Sequence, residues 1–451
     1  MNESMNWKTA VDDTVSNLSR LIRAETVNPP GNELPAILIV REILEKAGFP
    51  QESFTIVESA PNRVNLIARL RGDGTQRPFL LSGHVDVVPV ERERWSHDPF
   101  GGEVVDNIIW GRGALDMKGF LAMYLQVFIS MYQQKIPLKR DIILAAIADE
   151  EAGFTHGSKF LVDQHPELID AEYAITESGA MTLNFGKTRL YAIQVAEKGV
   201  CWLRARAQGK PGHGSIPHSE NAVFFLAQAI ERLRRAGHLP VHITPTFSKM
   251  LDTAATQIRF PMGILTGLVK SPIVTSMLLN RMKGDTRNIL RALTTNTISP
   301  TILQAGSKVN VIPSMAEANI DCRLLPGQTP EDVKREIHKI VGDGIDLEVI
   351  YTSSGAEFST ETPLYQLLEK RTRQMDPGGI FIPMLMPGAT DACQYQRAGI
   401  KVYGFTPGIL PKGLPMLQLA HGHDERIPIS FIETGLPVLW DVVNEFCGRG
   451  D

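Results

Sequence analysis

Residues 80–89 read LLSGHVDVVP, an apolar run that finishes on a histidine and an aspartate two positions apart. Strand side chains repeat every two residues, so His84 and Asp86 share one face. The pattern predicts a strand buried along its length that presents polar chemistry at its carboxyl end. Two more segments behave alike: 141-DIILAAIADEE-151 ends on three acids, and 172-EYAITESG-179 ends on Glu177.

Between these runs lie helical patterns. VDDTVSNLSRLIRAE (11–25), LPAILIVREILEKAGF (34–49), KGFLAMYLQVFISMYQQ (118–134) and SKFLVDQHPEL have apolar residues at helical spacing, and 27-VNPPGNE-33 breaks the first two apart. Apolar strands alternating with helices predict a parallel sheet covered on both faces. After about residue 188 the pattern changes. Strands GVCWLRARAQG, EANIDCRLLPG and DLEVIYTS alternate with helices NAVFFLAQAIERLRRAG and TPEDVKREIHKIVGDG, the signature of a small α+β layer. Within it, 245–300 is too long for a plain loop and reads as an extra helical elaboration. From about 355 the earlier pattern resumes with TPLYQLLEKRTRQM, FIPMLM, DACQYQRAG, KVYGFTP and ISFIETGLPVLWDVVNEF.

Composition narrows the function classes. A chain of 451 residues exceeds what one core normally serves, so two domains are expected. Its net charge of −4 offers no electrostatic case for nucleic acid or an anionic membrane. The start, MNESMNWKTAVDDTVSNL, has no basic-then-apolar signal pattern, and no apolar run reaches the roughly 20 residues of a membrane helix. Cys201, Cys322, Cys393 and Cys447 are scattered without a CxxC pair, which reads as reduced thiols of a cytoplasmic protein.

In open α/β sheets, ligands bind at the carboxyl ends of the strands. There His84 and Asp86 meet Asp149, Glu150 and Glu151, and Glu177, with Asp116 of 111-GRGALDMKG-119 and His421 of 420-AHGHDERIP-428 as further candidates. So many acids in one crevice would repel one another and drive their pKa values up. Divalent cations resolve that conflict, and mixed His and carboxylate donors suit zinc, with cobalt or manganese as alternatives. Singly, each motif has a bland reading: a hydrogen-bonded strand-end histidine, a solvated acidic loop, or an N-cap aspartate. Their joint occurrence, in order, at strand ends favours the metal.

The ordered motifs SGHVDVVP, WGRGALDMKG, ADEEAG, TESG, PGHGS, NVIP with DCR, PGATDA and HGHDERI resemble the M20 metallopeptidases, co-catalytic zinc amidohydrolases, over nearly the whole chain. The resemblance implies two Zn2+ per subunit, with His84 and Glu177 on one ion, Glu151 and His421 on the other, and Asp116 bridging. It makes Glu150 the general base acting on a metal-bridged water, and Asp86 the acceptor that orients the His84 ring. His421 rather than His423 aligns with the family pattern, and the Asp116–Met117 peptide is expected to be cis. His213 would donate to the developing oxyanion across a homodimer, with Asn310 beside it; Arg323 would grip a substrate carboxylate, and Gly388 would let the backbone pass close to the substrate.

The expected architecture is thus a mixed, mainly parallel α/β catalytic domain (1–189 and 355–451) with an inserted α+β lid and dimerisation domain (190–354). The expected reaction is hydrolysis of a small peptide or N-acyl amino acid carrying a free carboxylate, in the manner of the dipeptidase, carboxypeptidase and N-acyl-amino-acid hydrolase branch. The stretch 115-LDMKGFLA-122 is also similar to acetylornithine deacetylase, a second substrate assignment. A catalytically silent binding protein of the same fold would show a lost ligand or base; none of the six residues His84, Asp116, Glu150, Glu151, Glu177 and His421 is missing.

Overall fold

The structure is a computed structural model of the chain, and it describes residues 5–180, 182–185, 188–257, 262–414 and 416–449. The chain forms two compact units: one comprises Met1–Gln194, Phe358–Ile382 and Thr390–Asp451, the other Val195–Glu357 and Pro383–Ala389.

The first unit is built on a mixed sheet. Its spatial order begins Phe54–Ala60, Arg63–Leu70, Ile142–Ile147, Phe79–His84, Tyr173–Thr176 and Lys401–Gly404. The last four of these run parallel, and antiparallel strands flank them. Every residue of the strands Phe79–His84, Ile142–Ile147 and Tyr173–Thr176 is buried, as double-sided cover requires. Leu80 packs with Ile143, Ile147, Phe160, Leu161 and Tyr395 on one face. On the other lies the helix Lys118–Gln133, buried almost throughout because further helices cover it in turn. At Gly83 the start of this helix packs tightly on the strand: a Cβ there would sit 2.7 Å from the methyl of Met117, the residue before the helix, and 3.3 Å from Leu121 Cβ. The helix Trp7–Arg23, capped by the Asn6 side chain, buries Val11, Leu18, Leu21 and Ile22 at helical spacing.

The second unit carries a four-stranded antiparallel sheet in the order Thr297–Ala305, Met315–Leu324, Gly199–Gln208, Ile345–Ser353. Alternate residues Cys201, Leu203, Ala205 and Ala207 meet Ala316, Ala318, Ile320 and Cys322 under the helices Ala222–Ala236 and Pro330–Val341. The second helix opens on a capping box in which Thr329 and Asp332 satisfy each other's backbone N–H. The segment 245–300, expected to be helical, holds helices Pro245–Gln257, Met262–Val269, Pro272–Arg281 and Asp285–Thr294. Its end differs from that expectation. Thr297–Ala305 is an edge strand, with a register shift between Pro300 and Ile302. Proline cannot donate to a ladder and is confined to such edges and bulges, so it hid the strand from a propensity reading.

No helix among the described residues is long and apolar enough to cross a membrane. All four cysteines are free and buried.

One packing contact gives a stability test. Gly435 lies inside the helix Ile429–Cys447, and a Cβ there would run into the Pro407 carbonyl oxygen and approach the Met123 methyl. Gly435→Ala gains about 1 kcal/mol of helix propensity but must displace backbone, which costs typically about 1–3 kcal/mol. Urea unfolding is expected to show a net loss of stability; a variant as stable as the parent would refute the contact.

Candidate metal centre

Because the strands Ile142–Ile147, Phe79–His84 and Tyr173–Thr176 are parallel and in register, with His84 opposite Ile147, their carboxyl ends line one edge. At that edge each chain turns sharply. Asp149 and Ser178 both hold left-handed backbone, with φ of 65° and 67°. The turn at Asp149 matters most. In a continuing strand Glu150 and Glu151 would point to opposite faces, but the strand has ended at Ile147 and both carboxylates enter the same cluster.

Three groups of side chains bring one ligand atom each within 4.8 Å of the others: His84 with Asp116 and Glu177, Asp116 with Glu151 and His421, and His84 with Glu150 and Glu151. Asp116 joins the first two. Its Oδ1 lies 3.2 Å from His84 Nε2, and its Oδ2 lies 3.1 Å from His421 Nε2. Glu177 Oε2 is 3.6 Å from His84 Nε2, Glu151 Oε2 is 3.1 Å from His421 Nε2, and Glu150 Oε2 stands 4.0 Å from His84 Nε2. His423 lies elsewhere, 3.8 Å from Glu91.

His84, Asp116 and the Glu150–Glu151 backbone are held from behind. His84 Nδ1 lies 3.0 Å from the main-chain oxygen of Asp86 and 3.6 Å from its Oδ1. A carbonyl oxygen only accepts, so Nδ1 donates there, and Nε2 is the ring nitrogen turned to the cluster, where a cation would take the place of its proton. The main-chain oxygen of Asp86 is the nearer acceptor, and its carboxylate also faces the same ring nitrogen. That carboxylate accepts from the backbone N–H groups of Glu150 and Glu151 at 3.2 and 3.1 Å. Asp116 is positioned by residues to which the sequence reading gave no role. Glu425 Oε1 accepts from the backbone N–H of Leu115 and of Asp116, at 2.8 and 3.0 Å. Its Oε2 takes Arg112 Nη1 at 2.6 Å, and Arg112 Nη2 reaches the Gly422 carbonyl. This buried pair ties the Asp116 segment to the His421 turn. The only sequence signals were a GRG before Asp116 and the glutamate of HGHDERI. The Asp116–Met117 peptide is cis.

The electrostatics state what the cluster lacks. Burial pushes Glu150 well above the usual carboxylate range, with the Glu177 charge adding to it. Burial likewise raises Glu151 to about 7, and Glu177 is raised by burial and the nearby Asp116. Burial opposes ionisation of Asp116 too, but hydrogen bonds from His421 and His84 outweigh it and hold its carboxyl low. His421 is raised to about 10 by its hydrogen bonds to Asp116 and Glu151. Among the described residues no Lys or Arg pairs with Asp116, Glu150, Glu151 or Glu177. Protons thus fill the place of positive charge, and two imidazoles with four converging carboxylates are a donor set that divalent cations fit.

The remaining candidates lie in the second unit. His213 is exposed on a short two-stranded antiparallel ribbon, Gly212–His213 against Val311–Ile312, with its Nδ1 2.7 Å from Ser215 Oγ. The Asn310 carbonyl accepts from Gly214 at 2.8 Å, so His213 and Asn310 are neighbours. Arg323 donates from Nε to Asp321 Oδ1 at 3.0 Å on its own strand. At Gly388 a Cβ would meet only Met386 Cγ, at 3.9 Å, so the chain's own packing does not require glycine there.

Relatives and solved structures agree on the fold. The chain is 28% identical to a probable carboxypeptidase S-like 2 of Dictyostelium discoideum, covering 88% of this chain and 77% of that one. It is 28% identical to the human N-fatty-acyl-amino acid synthase/hydrolase PM20D1 (82% and 74% covered) and 26% identical to the aminoacylase-1 of Sus scrofa (94% and 93%). The M20 family metallo-carboxypeptidase Sso-CP2 from Sulfolobus solfataricus superposes with a TM-score of 0.70 at 16% identity, over 96% of this chain and 98% of that chain. The dipeptidase Dug1p from Saccharomyces cerevisiae gives 0.68 at 16%, over 99% of each. A sequence profile matches residues 80–445, from the strand Phe79–His84 to the last helix and across the whole acidic cluster; this chain belongs to peptidase family M20/M25/M40, hydrolases of amide bonds.

Proposed function

We propose that the protein is a dimetal hydrolase that cleaves a peptide or N-acyl amide bond in a small substrate with a free carboxylate. The observation that carries the reading is Asp116, whose two oxygens face two different imidazoles, each accompanied by its own glutamate. His84 and Glu177 would hold one cation, His421 and Glu151 the other, and Asp116 both. Zinc suits these donors, with cobalt or manganese as alternatives. Such ions polarise a carbonyl and lower the pKa of water.

The chain's own groups do the rest. Glu150 lies in the cluster without belonging to either Asp116 group, which suits a base that takes a proton from water and passes it to the leaving amine. His213, supplied by a second copy of the chain, would donate to the developing oxyanion, with Asn310 beside it. Arg323 would offer its fork to the substrate carboxylate in place of Asp321, and the space beside Gly388 would admit the substrate. Relatives named as aminoacylase and N-fatty-acyl-amino acid hydrolase support an N-acyl amino acid as the first substrate to test. Pairing of two copies through the second unit is supported by its edge strand, with Ile302 and Leu303 exposed, and by Phe224 and Phe225 exposed on the helix Ala222–Ala236. The free, buried cysteines support a cytoplasmic setting.

Glu150→Gln is expected to retain its metal while kcat falls by roughly 10²–10⁴-fold; turnover of a panel of dipeptides and N-acyl amino acids near the parent rate would remove Glu150 as base. Stripping cations with a chelator is expected to abolish hydrolysis and lower the melting temperature, with both restored by zinc or cobalt. Full turnover by protein shown to be metal-free would defeat the dimetal reading. Mixing inactive His213→Ala with inactive Glu150→Gln subunits is expected to restore activity, because one site of each mixed dimer then has both groups. A verified mixed dimer that stays inactive would place the donor in cis.

A further inference from the structure

Behind the acidic turn lies a second polar layer that the mechanism above does not use. Arg63, on the strand Arg63–Leu70, is buried beneath the loop of 27-VNPPGNE-33. Its Nε and Nη2 donate to the two oxygens of Glu33 at 2.8 and 2.9 Å, its Nη2 also to Asp149 Oδ1 at 2.6 Å, and its Nη1 to the Pro30 carbonyl at 3.3 Å. Gly31, with φ of 83°, lets the loop lie directly on the guanidinium; a Cβ there would overlap it. Asn28 sits beside this pair. Its Nδ2 donates to Asp149 Oδ1 at 2.9 Å and to Asp86 Oδ2 at 2.8 Å, and its backbone N–H reaches the Val87 carbonyl. Asp149 Oδ2 in turn accepts from the His156 N–H.

These contacts converge on one backbone feature. A non-glycine residue keeps left-handed backbone only when its surroundings over-determine it. Asp149 is so held by three donors: Arg63, Asn28 and the His156 N–H. From Asp149 the chain passes straight to Glu150 and Glu151. Asn28 meanwhile joins Asp149 to Asp86, whose oxygens hold the N–H groups of those same two glutamates. Arg63 and Asn28 bond to Asp149 and Asp86 rather than to Glu150, Glu151 or His84.

We propose that Arg63 and Asn28 are positioning residues of the hydrolytic site, fixing through Asp149 and Asp86 where the Glu150 and Glu151 carboxylates stand. This inference rests on the proposed roles of those two glutamates. The two donors do different work. Arg63 offsets the charge of Asp149 and, through its fork, ties it to the proline loop. Asn28 spans two carboxylates that would otherwise face each other without a donor between them.

Asn28→Leu removes both side-chain donors at similar volume, and Arg63→Lys keeps the charge without the fork. For each, kcat and KM on the best substrate of the panel, zinc retention against a graded chelator, and the melting temperature are measured. Gly435→Ala serves as a control that perturbs packing away from the cluster. In both variants kcat is expected to fall roughly 10–100-fold, with KM within about twofold and zinc released at lower chelator concentration. The control is expected to melt earlier with kcat and zinc retention unchanged. Folded variants with parental kcat and zinc retention would overturn the proposal. So would loss of cooperative unfolding in both, since the residues would then be framework of the whole unit. Glu150→Gln, assayed in parallel, separates the two levels: if it is inactive while the Asn28 and Arg63 variants are unaffected, only this inference falls, whereas an active Glu150→Gln removes the mechanism on which it rests.

Discussion

Asp116 shares its two oxygens between His84 and His421, and among the described residues no lysine or arginine pairs with it or with the glutamates around it. The rest of the first unit follows from that arrangement. Carboxylates placed this close in a buried edge repel one another, and the structure opposes the repulsion with rigid backbone rather than with local lysines or arginines. What remains is a cluster of converging carboxylates and imidazoles whose donors fit divalent cations.

Rigidity comes from two buried ion pairs behind the cluster. Arg112 with Glu425 fixes the Asp116 segment and the His421 turn against each other. Arg63 with Glu33 and Asp149 fixes the turn carrying Glu150 and Glu151. A buried pair is a weak source of net stability, because desolvation offsets most of its attraction, yet breaking one leaves an uncompensated charge. Such pairs suit a place where geometry matters more than stability. They also explain why apolar strands such as Ile142–Ile147 can stop abruptly on acids without fraying.

The second unit solves a different problem. Its sheet is covered by helices on one face, while its two-stranded ribbon carries His213, with Asn310 beside it, at an exposed tip. Exposure at that tip costs the chain little on its own and leaves both groups available to a substrate or a second copy. Arg323 is occupied by Asp321, so a substrate carboxylate would compete with an ion pair already formed.

Much of this was legible from residue order. Uniformly apolar runs between amphipathic helices identify buried parallel strands, and the polar residues at their ends mark the edge where His84, Glu151 and Glu177 come into candidate groups. The short edge strand Thr297–Ala305 escaped notice, since Pro300 and one unpaired side remove the usual strand pattern. Arg63, Asn28, Arg112 and Glu425 were equally opaque as site residues. Each lies far along the chain from a partner, as Arg112 does from Glu425, and a lone arginine or asparagine carries no local mark of what it will touch. The sequence alone determined which side chains are candidate cation donors and which strands end beside them. Only the tertiary structure decided that Asp116 faces two imidazoles at once and that the backbone turns at Asp149, because both depend on hydrogen bonds between segments that meet only when the sheet has formed.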